Sequence, residues 1–76
     1  MENIAVRREG QKLILEIDLS VAVGDSQTGR STIVATTRGN RQLVLRGEDG
    51  AEEVLFLNVN LFKPKARQQR NVVLID

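Results

Sequence analysis

The chain has 76 residues, with 11 lysines and arginines against 10 aspartates and glutamates, and it contains neither cysteine nor histidine. This length suits one small domain, and the net charge of +1 gives the protein no overall attraction for polyanions. The missing residue types exclude disulfide bonds, thiolate metal sites and catalytic groups built on histidine or cysteine. We therefore expect a non-enzymatic protein without metal or cofactor, stabilised by strand pairing and aliphatic packing.

The N-terminal part alternates between apolar and polar residues with the period of two that is typical of β-strands. This alternation predicts a first strand over residues 3–8 and a second over residues 12–19. Gly10 lies between them and can adopt the positive φ of a tight turn.

The middle of the chain contains three further strand-like segments. A run rich in β-branched residues predicts a strand over residues 32–37, and the Gly-Asn pair at 39–40 predicts a tight hairpin leading to a strand over residues 42–46. The Asp-Gly pair at 49–50 predicts a second hairpin, followed by the longest strand, residues 53–63. Each segment thus adds a strand next to its predecessor along the chain.

The C-terminal part begins at Pro64, which ends the fifth strand because proline cannot donate to a strand ladder. Residues 63–71 form a basic connection, and residues 72–76 contain a compact apolar run that predicts a terminal strand. This strand either closes the sheet of its own chain or pairs along the edge of a neighbouring copy. The whole predicts one all-β domain over residues 1–76, a five- or six-stranded meander forming a sandwich or barrel.

The sequence favours a cytoplasmic location. Its apolar segments are shorter than the roughly 18 residues needed to span a membrane as a helix. The first eight residues lack the basic-then-apolar order of a signal peptide.

Residues 24–31 have the spacing G-x-x-x-x-G-R-S, which resembles the Walker A loop of P-loop nucleotidases. In that family a lysine reaches the outer phosphates, whereas this chain has Arg30, whose planar guanidinium is not equivalent. A Walker A loop also opens a helix, but residues 32–37 are rich in β-branched side chains. We therefore interpret the segment as a surface loop and expect no nucleotide binding.

The same loop is followed by Ala35-Thr36-Thr37 and then by Gly39-Asn40. This order is similar to that of small uncharacterised bacterial and phage β-proteins, which carry S-x-S/T-G-K/R-S/T, a hydrophobic pair and A-S/T-T. The resemblance implies a small all-β fold and no particular activity.

The chain's two phenylalanines lie on one face of the predicted fifth strand and are followed by a basic segment without acids. Proteins that bind single-stranded nucleic acid combine stacking aromatic side chains with a basic track along the backbone. The candidate nucleic-acid-binding residues are Phe56, Phe62, Lys63, Lys65, Arg67 and Arg70, with Arg30 in the loop. Arg38, Arg41 and Arg46 lie on or near the neighbouring predicted hairpin.

These features lead to two hypotheses. The first is a small binding module for nucleic acid, in particular single strands. The alternative is a structural or assembly protein that acts through homo-oligomeric contacts, in which case the phenylalanines fill a core layer or a subunit interface. Terminal-strand residues Val72–Ile75 are the candidate contact between copies.

Overall fold

The computed structural model describes residues 1–66 and 71–76 and consists of short antiparallel strands. The strands are β1 (Ala5–Glu9), β2 (Lys12–Glu16), β3 (Gly24–Asp25), β4 (Ser31–Thr36), β5 (Arg41–Arg46), β6 (Glu52–Leu57) and β7 (Asn60–Pro64). The described residues contain no helix, so the predicted all-β class is confirmed, and none of them forms a helical segment that could cross a membrane.

The strands form three separate sheets, in the orders β1-β2, β3-β4-β7 and β5-β6. Strands of different sheets keep their Cα atoms more than 8 Å apart. The chain is not a simple meander, because β7 pairs with β4 and not with its sequence neighbour β6. Among the described residues the sheets are open, so no closed barrel is formed.

Two of the predicted hairpins are confirmed. β1 and β2 pair from Glu9↔Lys12 onward, and the turn between them uses a positive φ of 60° at Gly10. β5 and β6 pair from Arg46↔Glu52 onward, around the predicted Asp-Gly turn.

The predicted hairpin at residues 39–40 is wrong, because β4 and β5 belong to different sheets. Gly39 does adopt a positive φ, 91°, but it follows Arg38, which is also in the left-handed region at 53°. The two residues turn the chain out of the β4 sheet, and the Arg41 Nε then donates to the Thr37 carbonyl at 3.0 Å. A Gly-Asn pair signals the positive φ but not which strand follows it.

The predicted long strand over residues 53–63 is also wrong, since it breaks at Asn58-Val59 into β6 and β7. The break has a physical cause in Thr37. The Thr37 N–H donates to the Val59 carbonyl, and the Val59 N–H donates to the Thr37 hydroxyl, both at 3.0 Å. The Asn58 amide also donates to the Asn40 side-chain oxygen at 2.9 Å, so the two connections leading to and from the β5–β6 hairpin run side by side.

The centre of the fold is polar. Ala35 is the only buried apolar residue in the described part of the chain, and its buried neighbours are Thr36 and Thr37. The Thr36 hydroxyl donates to the Asn60 side-chain oxygen at 2.7 Å, and the Thr37 hydroxyl donates to the Gly39 carbonyl at 2.6 Å. The fold is therefore held at its centre by hydrogen bonds more than by apolar packing.

Asn3 ties the N-terminal segment to this centre. Its amide donates to the carbonyls of Asp18 and Val34, both at 2.9 Å, and its oxygen accepts from the Asp18 N–H at 3.3 Å. Val34 is free to accept because the β4–β7 register skips it. Glu2 and Thr36 add a short antiparallel bridge beside this contact.

The C-terminal segment forms no strand over residues 71–76. The side chains of Val72 to Ile75 are 62–90% exposed. The expected closure of the chain's own sheet by this segment is thus wrong for the described structure. Pairing along the edge of another copy stays a prediction.

The overall shape is elongated, with extents of 49 × 28 × 21 Å and a radius of gyration of 15.3 Å. A compact domain of this length has a radius of gyration of about 11 Å.

Candidate functional surfaces

The two phenylalanines lie in different sheets, Phe56 in β6 and Phe62 in β7. The prediction that they share one face of one strand is wrong because of the break at Asn58-Val59. Phe56 is 69% exposed and Phe62 is 57% exposed, so neither ring fills a core within this chain. Each ring must be considered with the residues of its own sheet.

Three of the predicted cations are brought to one end of the β3-β4-β7 sheet. The Lys65 N–H donates to the Arg30 carbonyl at 2.9 Å, which places the loop before β4 beside the end of β7. Lys63 lies opposite Thr32 in the β4–β7 ladder. All three cationic side chains are exposed. Arg67 and Arg70 lie outside the described residues.

The aromatic ring and the lysine beside it occupy opposite faces of this sheet. Phe62 is opposite Ile33 and Lys63 is opposite Thr32, and successive side chains along a strand point to opposite faces. The Lys65 ammonium lies 3.3 Å from the Asp25 carboxylate, which reduces its availability for another anion. A single ligand can therefore contact both the cations and Phe62 only if it passes around the free edge of β7.

The arginines of the neighbouring segments are already engaged within the chain. Arg38 pairs with Glu2, whose hydrogen bond and charge raise the pKa of the guanidinium above its ordinary value. Arg46 pairs with Glu52 at 3.3 Å, and Arg41 donates to a backbone carbonyl as described above. These three side chains add little to a basic track.

The Walker A-like segment forms the hairpin between β3 and β4 and does not open a helix. Its N–H groups are used internally: the Ser26 N–H donates to the Ser31 carbonyl and the Gly29 N–H to the Ser26 carbonyl, both at 2.9 Å. The Ser31 N–H donates to the Ser26 hydroxyl at 3.2 Å. A phosphate cradle needs such groups free and convergent, so the surface-loop interpretation agrees with the geometry.

A shallow depression of about 300 Å³ lies between this hairpin and β7. It is lined by Ser26, Thr28, Ser31, Ile33, Asn60, Leu61 and Phe62. The hydroxyls of Ser26 and Thr28 lie 3.5 Å apart, and the Asn60 side chain is held by Thr36. The exposed Phe62 ring forms one side of the depression and polar side chains form the other. None of the described residues that line it is charged.

The β5–β6 hairpin presents an apolar face, of which the sequence had indicated only Phe56 as a candidate residue. Val44 pairs with Val54 and Gln42 with Phe56, so these side chains share one face. Val44 is 52% exposed and Val54 is 49% exposed, next to the still more exposed Phe56. We call Val44, Val54 and Phe56 the outer patch.

A signal for the outer patch was present in the sequence. Residues 43–45 and 54–57 are apolar on both faces of their strands, a pattern typical of strands covered on both sides. The opposite face of the hairpin lies toward the first hairpin, where Val6 and Leu13 share a depression of about 240 Å³ with residues 43–45. The outer patch has no covering layer among the described residues.

Comparison with known proteins finds no match to any family model, to any curated protein or to any solved structure.

Proposed function

We propose that this protein is a non-enzymatic structural module that acts by assembling with copies of itself. One observation carries the proposal: the chain exposes 6629 Å² of surface. A compact monomer of 8.5 kDa exposes about 4,700 Å², so the surplus is about 2,000 Å² per chain. Obligate interfaces bury about 2,000–5,000 Å² of surface in total, counted over both partners. In the larger of these interfaces, each partner therefore buries an area about equal to this surplus.

The strand arrangement supports the same proposal. An isolated two-stranded hairpin is only marginally stable in water, and both β1–β2 and β5–β6 are two-stranded in the described chain. A second copy would supply the cover that these sheets need. The sandwich or barrel expected from the sequence belongs to this proposal, with sheets of neighbouring copies covering one another.

Light scattering coupled to size exclusion tests the proposal directly. We expect a mass of at least two chains of 8.5 kDa at micromolar concentration, falling on dilution. A folded species with the mass of one chain at every concentration would contradict the proposal.

A second candidate is binding of single-stranded nucleic acid at the end of the β3-β4-β7 sheet. The convergence of Arg30 with Lys63 and Lys65 favours it, since Arg30 is more than thirty residues earlier in the sequence and its backbone lies beside Lys65. A nucleic-acid strand would contact the cations on one side of β7 and reach Phe62 around its free edge. Arg67 and Arg70 extend the basic series in the sequence.

Fluorescence anisotropy with a labelled oligonucleotide tests this candidate. Neutralising three to five phosphates predicts a slope of log affinity against log salt of about −2 to −3.5. Phe62→Ala should weaken binding by about 1–3 kcal/mol if a base stacks on the ring. Lys63→Gln should also weaken it, whereas Lys12→Gln, an exposed cation on the first hairpin, serves as the matched control. No binding at low salt would end this candidate.

A further inference from the structure

We propose that the outer patch of the β5–β6 hairpin packs against the same patch of a second copy of the chain. This inference rests on the proposed assembly and names the surface through which it occurs. It is independent of nucleic-acid binding.

The first support is the position of the patch within its hairpin. Val44 and Val54 are direct cross-strand neighbours, and Phe56 lies one pair farther along the same face. All three residues keep about half or more of their surface exposed, although side chains of this type stabilise by burial. The opposite face carries Leu43 and Leu45, which are half-buried toward the first hairpin.

The second support is the charge around the patch. Arg46 and Glu52 lie at its border, on the same face, and pair with each other at 3.3 Å. The border thus has no net charge, which gives nucleic acid no electrostatic advantage there. A two-fold interface brings a patch onto its own copy, and a border without net charge adds no net electrostatic repulsion in that arrangement.

The third support is the geometry of sheet packing. The surplus of about 2,000 Å² belongs to the whole chain, and the outer patch is one exposed part of it. Two sheet faces packed about 10 Å apart form the ordinary core of a β-sandwich. A second copy supplies the matching sheet face, so each copy completes a layer that the other lacks.

The first test is a charge placed at the centre of the patch. In sedimentation experiments on the full chain, Val54→Asp should raise the dissociation constant at least about a hundredfold, because an unpaired carboxylate would be desolvated. Leu19→Asp is the matched control, since Leu19 is 79% exposed and lies outside the patch. A Val54→Asp protein with the same dissociation constant as the Leu19→Asp protein would overturn the inference.

The second test remains decisive if Val54→Asp does not fold. The chain has no native cysteine, so Val54→Cys introduces a single thiol. A short bismaleimide should link two Val54→Cys chains into a covalent dimer and leave Leu19→Cys largely monomeric. Equal cross-linking of the two variants in an oligomeric protein would refute this surface alone. A monomeric wild-type mass would refute the assembly proposal as well.

Discussion

A chain that buries so little apolar surface by itself should have a thermal stability that depends on protein concentration. If folding and association occur together, stability cannot be separated from the concentration of chains. A tenfold dilution lowers the stability of a dimer by about 1.4 kcal/mol. We therefore expect dilution alone to lower the melting temperature.

The size of the shift follows from the chain length. Two chains of 76 residues unfold as one unit of roughly 150 residues, for which 1 kcal/mol shifts the melting temperature by about 2–4 °C. Each tenfold dilution should thus lower the midpoint by about 3–6 °C. A hundredfold range makes the expected shift about 6–12 °C, well above the error of a melting curve.

Far-UV circular dichroism and calorimetry over this concentration range provide the assay. The bismaleimide-linked Val54→Cys dimer is the internal control, because a covalent dimer should melt at one temperature whatever its concentration. A wild-type midpoint that is the same at every concentration, with reversible unfolding, would refute the reasoning. The 76-residue chain would then fold alone despite its exposed apolar surface.

Three further outcomes are expected. Thr37→Val should lower the free energy of unfolding by about 1–3 kcal/mol in denaturant titrations, because it removes the hydroxyl of a fully buried residue and leaves the part-buried Val59 N–H without its acceptor. Deleting residues 72–76 should reduce the oligomer's mass and lower its melting temperature by several degrees if this exposed segment pairs with another copy; unchanged values would show a passive end. The hydroxyl and N–H of Ser20 hold the pKa of Asp18 below its ordinary 3.8, so the stabilisation is present above that value and is lost as pH falls through the lowered pKa. In an NMR titration Ser20→Ala should raise the pKa of Asp18 toward 3.8, and an unmoved pKa would contradict the assignment.

Local signals in the sequence predicted the elements that local chemistry controls. Period-two alternation located β1 and β2, and apolar runs rich in β-branched residues or leucine located β4 and β5, each to within a few residues. Gly10 marked a real hairpin turn. The break at Asn58-Val59 could not be predicted in this way, because the alternation continues through it. The break depends on hydrogen bonds to Thr37, which lies more than twenty residues earlier in the chain.

The candidate surfaces also depend partly on local sequence and partly on long-range contacts. Lys63 and Lys65 are neighbours by sequence alone, but the place of Arg30 beside them depends on the long-range pairing of β4 with β7. The separation of Phe56 from Phe62 is likewise a result of tertiary structure. A strand pattern cannot show it, because both rings fit one uninterrupted strand equally well.

The side-by-side connections at Asn40 and Asn58 give the β5–β6 hairpin an unusual freedom to vary. The chain leaves the β3-β4-β7 sheet at residue 40 and returns to it at residue 58. A hydrogen bond between the Asn40 and Asn58 side chains joins the two connections at this point. Residues 41–57 therefore behave as an insertion whose entry and exit coincide, and loops with adjoining ends tolerate changes in length. Such a segment can be lengthened, shortened or replaced by a different hairpin without changing the strand pairing of the β3-β4-β7 sheet. Evolution or a protein engineer can thus exchange the surface that this scaffold displays while keeping its polar centre.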